Sequence, residues 1–227
     1  QLDISGFNMP FNPIKKYTTL YTKNIIWDSE AEIEEKLNSE IVITGDWTFS
    51  AGSEVEISAC NVTFTGTNNS VINSNSSASK FGFVSIKKTN NAVTSIGSAS
   101  EQLTIKGSIL IDPDNTFTCA YDINMVLLFD LTCNGSLNLH NGTVSFMRGG
   151  GTQTIQLADN DHVFNNITIN CGGTLKTNNN LNIFGNLEIE SGVFDPQDNT
   201  IFIKGDWINN AGPESFINGS GKVVFNG

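Results

Sequence analysis

Asp159-Asn160-Asp161 alternates oxygen-bearing side chains as the opening of a calcium loop does, and Asp112-Pro113-Asp114-Asn115 is similar. Neither run has the glycine and distant glutamate of an EF-hand, so both read as acidic turns capping strand ends. His162 follows the first turn and reads as a solvated loop residue. His140 falls in the polar register of Leu137-Asn138-Leu139-His140 and is expected to face out. Arg148, the sole arginine, precedes Gly149-Gly150-Gly151 in an expected loop, with no acidic residue between it and Asp159.

Two chemistries on polysaccharides set the standard for these residues. A lyase needs calcium-binding carboxylates beside a base that takes the proton α to a uronate carboxyl. A glycosidase needs carboxylates converging across one bond. Here Asp112, Asp114, Asp122, Asp130, Asp159, Asp161, Asp195 and Asp198 fall in separate turns, and neither set assembles. No catalytic residue, metal ligand or cofactor is assigned, the binding residues are left unknown, and the chain is expected not to be an enzyme. Trp47 and Trp207 could stack on sugar rings, but their recurrence in one motif favours a corner or core role.

Cys60, Cys119, Cys133 and Cys171 form no CxxC pair and have no histidine close by in sequence, which argues against zinc. Phe117, Leu131 and Ile169 stand two positions before three of them, so alternation turns these thiols inward as small core residues. An exported chain could instead close a Cys119–Cys133 bridge. The formal charge of -11 excludes nucleic acid as a partner and disfavours an anionic membrane surface. No apolar run approaches the roughly 20 residues of a membrane-spanning helix.

The elements that carry these residues are repeats. Gly45-Asp46-Trp47 and Gly205-Asp206-Trp207 are identical and stand 160 residues apart. An apolar-x-apolar-x-Gly pattern recurs as Leu103 to Gly107, Leu131 to Gly135 and Leu181 to Gly185. Leu137-Asn138-Leu139 and Leu187-Glu188-Ile189 follow two of these, and Val62-Thr63-Phe64, Val144-Ser145-Phe146 and Val223-Val224-Phe225 close the unit. Gly185 and Gly205 are 20 residues apart, Gly107 and Gly135 are 28 apart, and the working period is a coil of about 20 with loop insertions. The fold class expected is all-β: a right-handed parallel β-helix, or solenoid, of near 10 coils and roughly 50 Å, in which Ile183 stacks on Ile203 and Asn-rich turns form ladders. A β-sandwich is the alternative.

Ser29–Asn38, SEAEIEEKLN, carries helical spacing and early acids, which predicts a short helix capping the open end of the core. Residues 1–28 read as an extended lead-in and 29–227 as the solenoid. The uncapped final strand predicts that the chain continues beyond Gly227 in a longer protein.

Residues Phe146 to Ile155, Phe164-Asn165-Asn166-Ile167-Thr168-Ile169, Leu181-Asn182-Ile183, Leu187-Glu188-Ile189 and Gly205-Asp206-Trp207 through Gly227 carry a resemblance. In them the stretch from Val144 to Gly227 resembles the repetitive regions of very large Bacteroidetes surface proteins, typically exported by type IX secretion and used in adhesion or gliding. That resemblance implies an extracellular, cell-surface stalk or adhesin module. Its partners would be other modules of one long chain, surface glycans, or secretion and motility machinery. A carbohydrate-active β-helix enzyme and an N-terminal docking region of a motility adhesin are the alternatives.

Overall fold

The structure, a computed structural model, describes residues 2–3, 19–28, 32–33, 40–98, 100, 102–119 and 122–227. The chain winds into a parallel β-solenoid of about nine turns. Each coil lays one strand on each of three faces. In one coil these are Val93–Ile96, Gln102–Ile105 and Ile109–Ile111, after which Thr116–Cys119 returns to the first face.

The second and third faces belong to one fourteen-stranded sheet, because several long strands run through the corner between them. Lys80–Lys88 shows how: Phe81 pairs with Ile105 on the second face, while Val84 and Ile86 pair with Ile109 and Ile111 on the third. The first face is divided. Seven strands run from Leu2–Asp3 to Ser136–Asn138, and four more run from Val163–Phe164 to Lys222–Phe225, with no ladder joining the two groups.

Alternation explains the core. In a three-residue strand the outer two side chains share a face, so apolar-x-apolar puts both inside. Stacking then builds columns: Met125, Val144, Ile167 and Leu187 lie in register, as do Leu127, Phe146, Ile169 and Ile189, and all are buried. Ile183 does stack on Ile203. Each fully buried side chain of this kind contributes about 1.5–3 kcal/mol. Trp47 is a core residue, its ring centroid 6.0 Å from that of Trp27, 5.5 Å from Phe49 and 4.9 Å from Phe81. It offers nothing to a sugar. Trp207 is half-buried and packs edge-on against Phe216 at 4.7 Å.

The corners correct the reading of the repeat. Gly45-Asp46-Trp47 turns from the third face to the first, where Trp47 pairs with Ile25 and Ile72. Gly205-Asp206-Trp207 turns from the first face to the second, where Trp207 pairs with Leu187. The two copies therefore occupy different phases of the coil, and their spacing does not count turns. Val62–Phe64, Val144–Phe146 and Val223–Phe225 likewise fall on the third, second and first faces. The grammar repeats once per face. The 28 residues from Gly107 to Gly135 join different corners, whereas Gly185 and Gly205 occupy the same one.

The Gly-Asx pair has a physical reason. Asn166 Oδ1 accepts the backbone N–H of Asn186 at 2.9 Å, and Asn186 Oδ1 accepts that of Asp206 at 2.8 Å. At another corner Asn24 Oδ1 takes Asp46 N–H at 2.8 Å, and Asp46 Oδ1 takes Val71 N–H at 2.8 Å. The amides stack as expected, but each ladder runs from side chain to the next coil's backbone. The glycine makes room: a Cβ at Gly45, Gly185 or Gly205 would collide with the Oδ1 of Asn24, Asn166 or Asn186 respectively.

The N-terminal part departs from expectation. Of the segment expected to be a helix, the described residues Glu32–Ile33 form a strand that pairs with Glu54 and Val55. A ten-residue helix is marginal on its own, while the open edge of Glu54–Gly66 offers unpaired N–H and C=O groups to any extended neighbour. The rest of that segment lies outside the described residues. Thr19–Thr22 and Ile25–Trp27 already pair with Glu40–Ile43 and Trp47–Phe49, so the solenoid is under way before residue 28. Cys119 sits on the first face and Cys133 on the third, and the two form no bridge.

Gly185→Ala should destabilise the fold by about 1–3 kcal/mol in urea unfolding, through overpacking. Asn166→Ala should cost about 0.5–1.5 kcal/mol, the net contribution of the solvent-accessible hydrogen bond to the Asn186 N–H. The double variant should cost less than the sum, because one collision disappears with the amide while the nearby Asn165 carbonyl remains.

Candidate functional site

Where the first face is interrupted, the surface opens into a groove of about 540 Å³. One wall is the unladdered side of Ser136–Asn138 with Gly135, His140 and Asn141. The other holds Asp159, Asp161, His162, Val163, Asn165 and Phe184. Among the described lining residues none is lysine or arginine.

His162 is a correction to the sequence reading: it is 8% exposed. His162-Val163-Phe164 alternates in-out-in, and that signal was available in the sequence. Its Nε2 contacts the Gly135 carbonyl at 2.9 Å and its Nδ1 contacts Asp159 Oδ1 at 3.1 Å. The ring thus spans the gap that a ladder closes elsewhere on this face. An Asp-His pair is also the orienting half of a hydrolytic triad, in which the far nitrogen must face a nucleophile. Here that nitrogen is engaged by a carbonyl, so the pair acts as a clamp.

The acidic turn works as expected. Asp159 Oδ1 also accepts the Asp161 N–H at 2.9 Å, and Asn160 Oδ1 accepts the Asn180 N–H at 3.1 Å. His140 is exposed, as its register predicts, and takes a left-handed backbone at φ 51°, where Asn138 Oδ1 caps its N–H at 3.0 Å. Phe184, which nothing in the sequence marked, is 50% exposed on the groove. Lys204, which does not line the groove, holds its ammonium 3.6 Å over that ring.

The remaining candidates lie apart: Asp114 and Asp122 are exposed, and the others are engaged. Arg148 donates to the Thr152 carbonyl and sits 4.5 Å over the Phe129 ring. Asp130 Oδ1 accepts the Thr154 N–H at 2.8 Å, Asp195 pairs with Lys176 at 3.3 Å, and Asp112 pairs with Lys87 at 3.9 Å. Asp198 takes both the N–H and the hydroxyl of Ser220, which lowers its pKa. Among the described residues no three His, Cys, Asp or Glu side chains gather as a metal site.

Two buried groups look reactive and are not. The Val84, Ile86, Lys88 alternation carries Lys88 into the interior, where its ammonium donates to Thr65 O at 2.7 Å, Ser70 Oγ at 2.5 Å and Thr44 O at 3.3 Å. Burial lowers its pKa, but every donor is spoken for and the groove lies elsewhere. Burial pushes the Cys133 thiol up to about 12, which removes the thiolate a nucleophile needs. The strongest surface ion pair is Glu56, 2.5 Å from Lys106 and 3.8 Å from Lys80 across neighbouring coils. The Lys106 hydrogen bond holds the Glu56 carboxyl below its ordinary value.

Comparison with known proteins adds no assignment: no family model, curated protein or solved structure matches the chain.

Two outcomes follow from the titrating groups. Native protein should resist iodoacetamide at Cys133 at mildly alkaline pH and react once unfolded, read by mass spectrometry of the tryptic peptide. For Glu56, whose folded pKa is depressed, the stabilising contribution is present above the unfolded value near 4.5 and is lost as pH falls through the folded one. Glu56→Gln should therefore lower stability at neutral pH, and its profile should converge on that of the unsubstituted protein as pH falls below the folded value.

Proposed function

We propose that the chain is a non-catalytic module displayed at the cell exterior, a stiff spacer that projects neighbouring modules and presents a binding surface along its side. One observation carries this reading: most of the corner acids and amides with a described partner are used in joining one coil to the next, and the unengaged carboxyls Asp114, Asp122 and Asp161 form no described carboxylate pair. Asn24, Asp46, Asn69, Asp130, Asn160, Asn166, Asn180, Asn186 and Asp198 each cap a backbone N–H one coil away. A catalytic pair needs at least one carboxyl free to trade a proton beside the substrate.

The parallel ladder supports the mechanical part. About nine turns at roughly 4.8 Å give a rod near 43 Å long, stiff because neighbouring coils are bonded on three faces except at the break in the first face. The resemblance of Val144–Gly227 to repetitive regions of large Bacteroidetes surface proteins supports the location and the spacer role, with the other modules of a long chain as its first partners. A polysaccharide lyase or hydrolase is the competing reading, and the Asp159–His162 pair is the place it would have to act.

The test is turnover and place together. Purified chain incubated with neutral and acidic polysaccharides should release neither new reducing ends nor ultraviolet-absorbing unsaturated uronates, and protease shaving of intact source cells should remove the protein. Release of product that His162→Gln abolishes would overturn the proposal, as would full protection from protease in intact cells.

A further inference from the structure

Resting on that reading, we infer that the groove at the break in the first face binds a short neutral saccharide, with the Phe184 ring as its platform. Four observations converge on it. The groove's volume of about 540 Å³ falls within the ~300–1,000 Å³ of small-molecule sites. It lies where neighbouring coils are not laddered, so the Ser136–Asn138 edge keeps backbone groups available that every other rung of that sheet uses. Its rim offers side-chain groups that the corners elsewhere use up: Asn141 and the Asp161 carboxylate have no side-chain partner among the described residues. And Phe184, held by Lys204, presents a half-exposed aromatic face beside them.

The chemistry selects the ligand. A pyranose has one face of weakly positive C–H groups and an equator of hydroxyls. The negative face of an aromatic ring attracts the first, and planar amides and a carboxylate hydrogen-bond adjacent hydroxyls through paired donors and acceptors. Asn141 and Asp161, with the Nδ2 of Asn138 and the Oδ1 of Asn165 whose other amide atoms bond within the turn, supply those groups around the ring. Anionic sugars are disfavoured: Asp159 and Asp161 line the groove, no lysine or arginine is among the described lining residues, and the ring nitrogens of His162 already face Asp159 and the Gly135 carbonyl. A divalent cation is disfavoured because Asp159 and both nitrogens of His162 are already bonded.

The test uses the whole chain and defined probes: trisaccharides of glucose, mannose, galactose and xylose, with trigalacturonate as the acidic control, followed by saturation-transfer NMR and calorimetry. At least one neutral probe should bind and trigalacturonate should not. Phe184→Ala should weaken binding roughly five- to tenfold, Asn141→Ala should weaken it severalfold, and Phe184→Tyr should restore it. Both alanine variants remove exposed side chains, and unchanged melting temperatures confirm that the loss is local. Failure of every neutral probe, equal binding of trigalacturonate, or undiminished binding by Phe184→Ala overturns the inference. Absence of both binding and turnover removes the groove and leaves the spacer reading standing, whereas a probe bound and then cleaved keeps the groove and removes the non-catalytic reading.

Discussion

Every coil of this protein must hand its backbone hydrogen bonds to the coils above and below, and at a corner the chain leaves the sheet before it can do so. A corner N–H left without an acceptor forfeits a hydrogen bond that would join two coils, and a solenoid has three corners in every turn. The Gly-Asx pair answers that constraint. The Asx side chain supplies the missing acceptor to the coil above, and the glycine on that coil leaves the space the amide needs, as with Asn166 beneath Gly185 and Asn186 beneath Gly205. The abundance of Asn, Asp and Gly, the acidity and the short strands all follow from repeating this device.

The same constraint shapes what the surface can do. A carboxylate fixed on a backbone N–H is held in place and is poorly suited to exchange protons with a substrate. Chemistry or recognition is left for the places where the ladder fails. The first face fails once among the described residues, between Ser136–Asn138 and Val163–Phe164, and there the buried His162 stands in for the absent rung while a groove opens around it. Exposed polar groups and an aromatic ring gather there because neighbouring coils no longer claim them.

The interior was legible wherever alternation was unbroken. The inward turn of Cys119, Cys133 and Cys171 and the stacking of Ile183 on Ile203 follow from a period of two, as did the unused signals for Lys88 and His162. The phase of the repeat was not legible. Three faces built from the same short grammar look alike to any comparison along the chain, so two identical Gly-Asp-Trp copies at different corners read as one position. The acidic stretch at Glu32–Ile33 was misread for another reason: its helical spacing is local, and the strand edge that captures it is far away in sequence.

What the amino-acid order by itself determined is the parallel solenoid: short alternating strands and corner residues that accept unusual backbone angles. Those are properties of neighbouring residues, and period and composition record them directly. The tertiary structure alone decided which corner each motif occupies, that Trp47 is core while Phe184 is surface, and that Gly135, Asp159 and Phe184 share one groove. These depend on register between coils some 20–27 residues apart, which insertions in the loops shift without leaving a local mark.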